Sequence, residues 1–291
     1  MALNKSQLLS LFARLNFHPS RKLGQNFLID PNLLDFIVKM AAPAAGQRIV
    51  EVGPGAGTLT DKLLASGAYV IAVEYDHRLC AHLRDAIKSD NLELVEADAC
   101  DVDYAAITAG GPFRVVSNLP YAISTPLTAT LATLDAPPTD LLLLLQKETA
   151  DRFASPPRRK EYGWLSVLLQ NVYDIERLRN VPPDVFFPKP EIDSALLRLT
   201  RKAVIPSPCE RRSLRSLTSL AFSNRRKKML KNLAAMYDAE ALKLAFDEIG
   251  GCLEARAEEL TPEQFLRLAR LLRAQALSGQ ESPPSQFPAC P

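Results

Sequence analysis

The sequence predicts an α/β fold, a largely parallel sheet followed by a small helical domain. Short β-branched or leucine-rich runs alternate with helical stretches through the first half. That alternation stops after Tyr162, and from about Ile205 the chain reads as helical. A glycine-rich turn follows the first of these runs and opens a helix.

The strand-like runs are Arg48–Val52, Tyr69–Glu74, Leu92–Val95, Phe113–Ser117 and Asp140–Gln146. Helical stretches Thr58–Ala65, His77–Lys88 and Thr125–Leu134 lie between them, which implies crossover connections. Trp164–Gln170 reads as a helix. Val172–Arg179 and Ser194–Thr200 read as two strands that flank the proline-rich loop Val181 to Pro190 and close one sheet edge as a hairpin-like pair. Helices then follow over Arg211–Phe222, Lys227–Tyr237, Ala239–Ile249 and Pro262–Ala274, the last with Thr261 as N-cap. The expected domains are residues 1–203 for the sheet and 204–277 for the helices, with a disordered Pro/Ser/Gln-rich tail over 278–291.

Apolar residues make up 47% of the 291, enough for a sizeable core, and mean hydropathy is near zero. The longest apolar run, Leu141 to Leu145, is far too short to cross a membrane. Five scattered cysteines without a C-x-x-C pair suggest neither a zinc site nor a disulfide framework, so no metal and a reducing cytoplasm are expected. A monomer is the default. Residues 49–110 hold eleven acidic and four basic side chains, whereas 201–232 hold ten basic and one acidic. A polyanion would therefore meet the second region.

Glu51-Val52-Gly53-Pro54-Gly55-Ala56-Gly57-Thr58 leaves a strand and opens a helix. Glycines there let the backbone turn and approach a ligand. The spacing is G-x-G-x-G. Thr58 stands where a dinucleotide fingerprint has its last glycine, which points to a cofactor without a pyrophosphate. Glu74 ends the second strand, at the distance where a carboxylate accepts ribose hydroxyls. Asp98 follows the third and can accept from an adenine amine. The three strand ends form one crevice and look like those of class I methyltransferases.

After the fourth strand comes Asn118-Leu119-Pro120-Tyr121. An adenine amine is a poor nucleophile, because its lone pair is delocalised into the ring. Two oxygen acceptors on its N–H bonds, the Asn118 side-chain oxygen and the Leu119 carbonyl, favour a pyramidal nitrogen. Pro120 has no N–H to compete and fixes its own φ. Tyr121 offers a face on which an extruded base can stack.

Together these residues resemble the ribosomal RNA adenine dimethyltransferase family, over roughly Phe17 to Leu272. That family includes the bacterial 16S enzymes, their eukaryotic and mitochondrial relatives, and the macrolide-resistance 23S enzymes. Lys22-Leu23-Gly24-Gln25-Asn26-Phe27-Leu28-Ile29-Asp30 is similar to its N-terminal cofactor segment. The resemblance implies S-adenosylmethionine as cofactor, with Asn26, Leu28, Gly53, Gly55, Glu74, Asp98 and Asn118 around it. Gln146-Lys147-Glu148 and Tyr162-Gly163-Trp164-Leu165-Ser166-Val167 also match, although the family usually has Arg where this chain has Trp164. Val181-Pro182-Pro183 with Phe186-x-Pro188-x-Pro190 matches the loop whose aromatic residue, here Phe186, faces Tyr121 across the target base.

Ser194–Leu199, Ala221–Lys228 and Arg256–Leu260 are more similar to the small-subunit branch. The function implied is dimethylation of two adjacent adenosines in the 3′-terminal hairpin loop of small-subunit rRNA. The partner is then a small ribosomal subunit precursor, with Arg225, Arg226, Lys227 and Lys228 on the RNA. The alternatives are a 23S enzyme giving macrolide resistance, and an RNA-binding assembly or transcription factor on the same scaffold.

Overall fold

The computed structural model describes residues 3–20 and 24–278. Arg21, Lys22 and Leu23, two of which open the N-terminal motif, lie outside the described residues, as does the expected tail beyond Ser278. The chain packs as two units. One gathers the chain through Leu131 with Pro138–Ala150 and Ile175–Thr200; the other gathers Ala132–Pro137, Asp151–Asp174 and the chain from Arg201 on. The second unit thus draws on two segments inside the 1–203 range.

The first unit is a sheet layered with helices. Its strands are β1 (Phe27–Leu28), β2 (Arg48–Val52), β3 (Tyr69–Glu74), β4 (Leu92–Glu96), β5 (Arg114–Asn118), β6 (Asp140–Gln146), β7 (Tyr173–Val181), β8 (Phe186–Phe187) and β9 (Ser194–Arg201). Seven of them run in the order β4-β3-β2-β5-β6-β9-β7. Neighbours from β4 to β6 are parallel, and β9 is antiparallel to β6 with Gln146 opposite Ser194. The expected edge pair is therefore present, with β9 inside and β7 outermost. β7 buries only its end residues Tyr173 and Val181 and leaves the residues between them exposed or half-buried, as an outermost strand does, while Leu141 to Leu145 in β6 are all buried on both faces. Full burial of a leucine contributes about 1.5–3 kcal/mol, so β6 anchors the sheet.

Three features lay outside the sequence expectation. Helix Lys5–Arg14 starts with a capping box between Asn4 and Gln7. Its Leu8, Leu11 and Phe12 pack with Phe17, Phe27 and Leu79 in a separate apolar cluster. Helix Pro31–Ala41 starts at Asp30, whose Oδ1 accepts from the Leu33 N–H at 2.7 Å. β1 and β8 form a two-stranded antiparallel ribbon, pairing Phe27 with Phe187 and Leu28 with Phe186.

In the second unit, helix Pro262–Ser278 begins where expected, with Thr261 and Gln264 closing a capping box. The helix expected over Lys227–Tyr237 is reduced to Met229–Leu233. The Met229 N–H bonds to the Ala255 carbonyl, outside the helix, and Asn232 spends its amide protons on the Ala221 and Asn224 carbonyls. Cys80, Cys100 and Cys252 are free thiols. No helix among the described residues is long and apolar enough to cross a membrane.

One buried ion network ties the amino end of β6 to its neighbours. Asp140 accepts from Arg114 on β5 and from Arg198 on β9, each at 2.9 Å. Arg198 belongs to the Ser194–Leu199 motif, so this part of the motif is structural. Replacing Asp140 by Ala leaves the Arg114 guanidinium buried without its carboxylate. The expected loss is about 3–5 kcal/mol, measured by urea unfolding; a loss below about 1 kcal/mol, the worth of a surface pair, would overturn this account.

Candidate functional site

The parallel strands end at one edge, and β2 pairs with both β3 and β5, so the strand order reverses there. Ligands in open α/β sheets lie at this position. Two adjoining pockets occupy it and share Gln25, Gly53, Glu74 and Pro120. The first is lined by Asn26, Leu28, Glu51, Gly55 and Asn118 among others, and the second by Asp98, Tyr75, Ala99 and Ile123. Except for Tyr121 and Phe186, every residue named from sequence for cofactor or chemistry borders this crevice.

The glycine turn is shaped by positive φ and by close neighbours. Gly53 and Gly55 have φ of 68° and 59°. A Cβ on Gly53 would stand 3.0 Å from the Pro120 ring, and one on Gly55 would stand 2.9 Å from the Phe27 ring. The cofactor turn and the Asn118–Tyr121 motif are thus packed directly on one another.

The Glu74 carboxylate is buried at the end of β3. Its Oε1 accepts from the Tyr75 and Asp76 N–H groups at 2.9 and 3.0 Å, and its Oε2 from the Gly55 N–H at 3.2 Å. Burial raises its pKa, and these three hydrogen bonds oppose the rise. Three of about four acceptor positions are filled, so the carboxylate is fixed in orientation with one position over. Asp98 is exposed in a turn beyond β4, with Oδ1 accepting from the Cys100 N–H at 2.8 Å.

Asn118 ends β5. Its Nδ2 donates to the Asn26 backbone carbonyl at 2.9 Å. A carbonyl only accepts, so the amide nitrogen faces Asn26 and the oxygen is turned the other way. That Oδ1 is buried and has no partner. A buried acceptor without a donor costs about 1–3 kcal/mol, a cost that an incoming N–H removes.

Tyr121 follows in a 3-10 turn. Its N–H reaches the Gly24 carbonyl at 3.4 Å, and its hydroxyl shares a 2.7 Å hydrogen bond with Ser194 Oγ. Ser194 is fully buried at the start of β9. Phe186 stands elsewhere than expected for a stacking platform. It is 2% exposed and packs in the core cluster with Leu28 and Val181, because β8 pairs Phe186 with Leu28. In this packing it turns no ring face to solvent; its neighbour Phe187 is the more exposed and lies 6.4 Å from Phe12.

Sequence reasoning passed over Glu51, which is buried within β2 and lines the first pocket. Its Oε2 has no partner. Burial is the main cause that pushes its pKa up to about 8, and nearby Glu74 adds to this. Its place as the acidic residue before G-x-G-x-G was the available signal. Among the described residues no group of His, Cys, Asp and Glu could hold a metal ion. In the second unit, Arg225, Arg226, Lys227 and Lys228 are exposed in the turn before Met229–Leu233.

Two outcomes follow from this geometry. A carboxyl held neutral by the fold stabilises fully below its ordinary pKa of 4.5, and that contribution is lost as pH rises toward 8. Glu51→Gln is therefore expected to be more stable than the parent, with the difference growing by up to about 1.4 kcal/mol per pH unit within that window. Thermal melts from pH 5 to 8 check this, and a constant difference would contradict it. Ser194→Ala frees the Tyr121 ring. It is expected to slow the methyl transfer implied by the sequence roughly tenfold, the worth of one hydrogen bond, with cofactor affinity unchanged and Ser194→Thr restoring the rate. Single-turnover assays measure it, and an unaltered rate removes Ser194 from any role at the site.

Residues 16–274 match the family described as ribosomal RNA adenine dimethylase. The chain is 40% identical to ribosomal RNA small subunit methyltransferase A of Leptothrix cholodnii, over 88% of this chain and 92% of that one. It is 38% identical to the protein of that name from Synechocystis sp., over 88% and 97%. Among solved structures, the 23S rRNA methyltransferase ErmE aligns with a TM-score of 0.61 at 28% identity, covering 85% of this chain and all of that one. A dimethyladenosine transferase from Plasmodium falciparum aligns at 0.67 and 23%, over 83% and 95%, which supports the fold alone. The fold is that of class I methyltransferases, and the chain belongs to the ribosomal RNA adenine dimethylase family.

Proposed function

We propose that this protein transfers methyl groups from S-adenosylmethionine to the N6 amines of two adjacent adenosines in the 3′-terminal hairpin loop of small-subunit rRNA. It works as a cytoplasmic monomer on a small-subunit precursor. The observation that carries the chemistry is the unpaired, buried Oδ1 of Asn118, turned away from the Asn26 carbonyl that holds its Nδ2. The substrate rests on the relatives named for the small ribosomal subunit, which at 40% stand nearer in identity than the 23S enzyme at 28%.

The crevice fits the cofactor. Glu74 is held for the ribose, Asp98 borders the pocket that suits the adenine, and Gly53 and Gly55 permit close backbone approach. The unpaired Glu51 oxygen suits the cofactor's α-ammonium group. Once bound, S-adenosylmethionine supplies an electrophilic methyl group on a sulfonium. The protein's part is to present the amine. Asn118 Oδ1 and the Leu119 carbonyl accept its two N–H bonds and direct the nitrogen lone pair. The Tyr121 ring carries the flipped base, oriented by Ser194. Transfer then relies on positioning and electrostatics, without a strong base, and the methylated nitrogen, cationic and strongly acidic, gives up its surplus proton to water.

The test offers small subunits lacking their dimethyladenosines and protein-free large-subunit RNA in parallel, with labelled cofactor and primer-extension mapping. Stops are expected at the small-subunit 3′ hairpin. Asn118→Ala should lower turnover by at least about 2.7 kcal/mol, a hundredfold, as loss of an aligned acceptor does elsewhere, while the protein stays folded. Labelling confined to large-subunit RNA would establish the 23S alternative, and near-normal turnover by Asn118→Ala would overturn the mechanism.

A further inference from the structure

The helical unit carries a second basic loop that the function above does not use. Arg158, Arg159 and Lys160 are consecutive and exposed. Arg158 has a φ of 65°, a left-handed conformation that non-glycine residues adopt at a cost. The fold holds it there. The Arg158 N–H donates to the Glu258 carbonyl at 2.7 Å, and Tyr162, fully buried just after the loop, donates its hydroxyl to the Leu260 carbonyl at 3.0 Å. The Tyr162 ring also meets Phe222 edge-on at 5.9 Å, three residues before Arg225.

Glu258 reaches the other basic loop as well. Its side chain accepts from Arg225 at 3.0 Å, and Lys228 pairs with Glu254. Two basic segments more than sixty residues apart in sequence are thus fastened to one short stretch, 254–260. Among the described residues, Arg158, Arg159, Lys160, Arg226 and Lys227 have no carboxylate partner. Neither loop exposes a large apolar side chain, so the surface lacks the apolar centre of a protein interface. Cations that are free of partners and set on pinned backbone suit a row of phosphates, the feature that structured RNA presents whatever its sequence.

We infer that Arg158, Arg159 and Lys160 form the second half of a phosphate-docking face whose first half is Arg225–Lys228, with Glu258 joining the two loops for the backbone of structured RNA. This rests on the reading that ribosomal RNA is the substrate.

The experiment measures binding of unmethylated small subunits by the full-length protein across a salt series. The parent should bind with a clear salt dependence. Changing Arg158, Arg159 and Lys160 together to Ala should lower the log–log salt slope by roughly 2–3, at about 0.7–0.9 per lost contact. Cofactor affinity should not change. The charge-preserving exchange Arg158→Lys, Arg159→Lys and Lys160→Arg should keep the slope. Should the triple alanine variant prove unstable, Arg159→Glu alone carries the test and should weaken binding with intact cofactor affinity. If the parent binds with its salt dependence but the alanine and glutamate variants both match it, the inference fails and the function stands. If the parent neither binds nor methylates the subunit, the functional reading itself fails.

Discussion

The parallel pairing of β2 with β3 on one side and β5 on the other is the constraint from which the site follows. Parallel strands that share a register must end together. Glu74, Asn118 and the glycine turn are therefore delivered to one edge by backbone hydrogen bonds, before any side chain is considered. Side chains then refine the meeting. Pro120 sits against Gly53, and Gly24 leaves no space for a Cβ beside the Tyr121 N–H. The N-terminal segment, the cofactor turn and the Asn118–Tyr121 motif cannot shift independently, which is how a loop-built site becomes as rigid as the sheet under it.

The molecule divides its charge by task. The crevice gathers Glu51, Glu74 and Asp98, a setting that suits a cationic cofactor and repels phosphate. Burial pushes the Glu51 pKa up to about 8, which reduces its charge, while Glu74 is stabilised by three N–H groups. The helical unit carries the opposite sign on exposed loops.

Much of this was legible in the sequence, for physical reasons. Leucine-rich and β-branched runs marked the strands because a parallel sheet buried on both faces needs continuous apolar segments. Turn glycines and strand-end acids are local signals. What escaped was decided by distant partners. Glu51 looks like an ordinary polar residue until the crevice closes over it. Phe186 and Phe187 are adjacent, and only the pairing of β8 with β1 determines which of them is buried. The first N–H of helix Met229–Leu233 is met by the Ala255 carbonyl, twenty-six residues on, a partner that no local propensity reveals. Helix Lys5–Arg14, by contrast, carried a readable Asn–Gln cap and apolar spacing that were passed over.

The hydrogen bond between Tyr121 and Ser194 couples the base platform to strand register. Ser194 stands opposite Gln146, the last residue of β6, and side chains alternate faces along a strand. β9 is buried on both faces from Ser194 to Leu197. Sliding it by one residue would keep its apolar side chains covered while turning the hydroxyl to the other face. On the proposed function, the length of the connection from Pro188 to Asp193 is therefore set by the Tyr121–Ser194 hydrogen bond as much as by folding. A one-residue insertion there could leave a folded, cofactor-binding protein whose tyrosine no longer holds its angle. Loop length, normally the most freely varied property of a surface connection, is here a determinant of where the Tyr121 ring comes to rest, and with it the base that the proposed function places there.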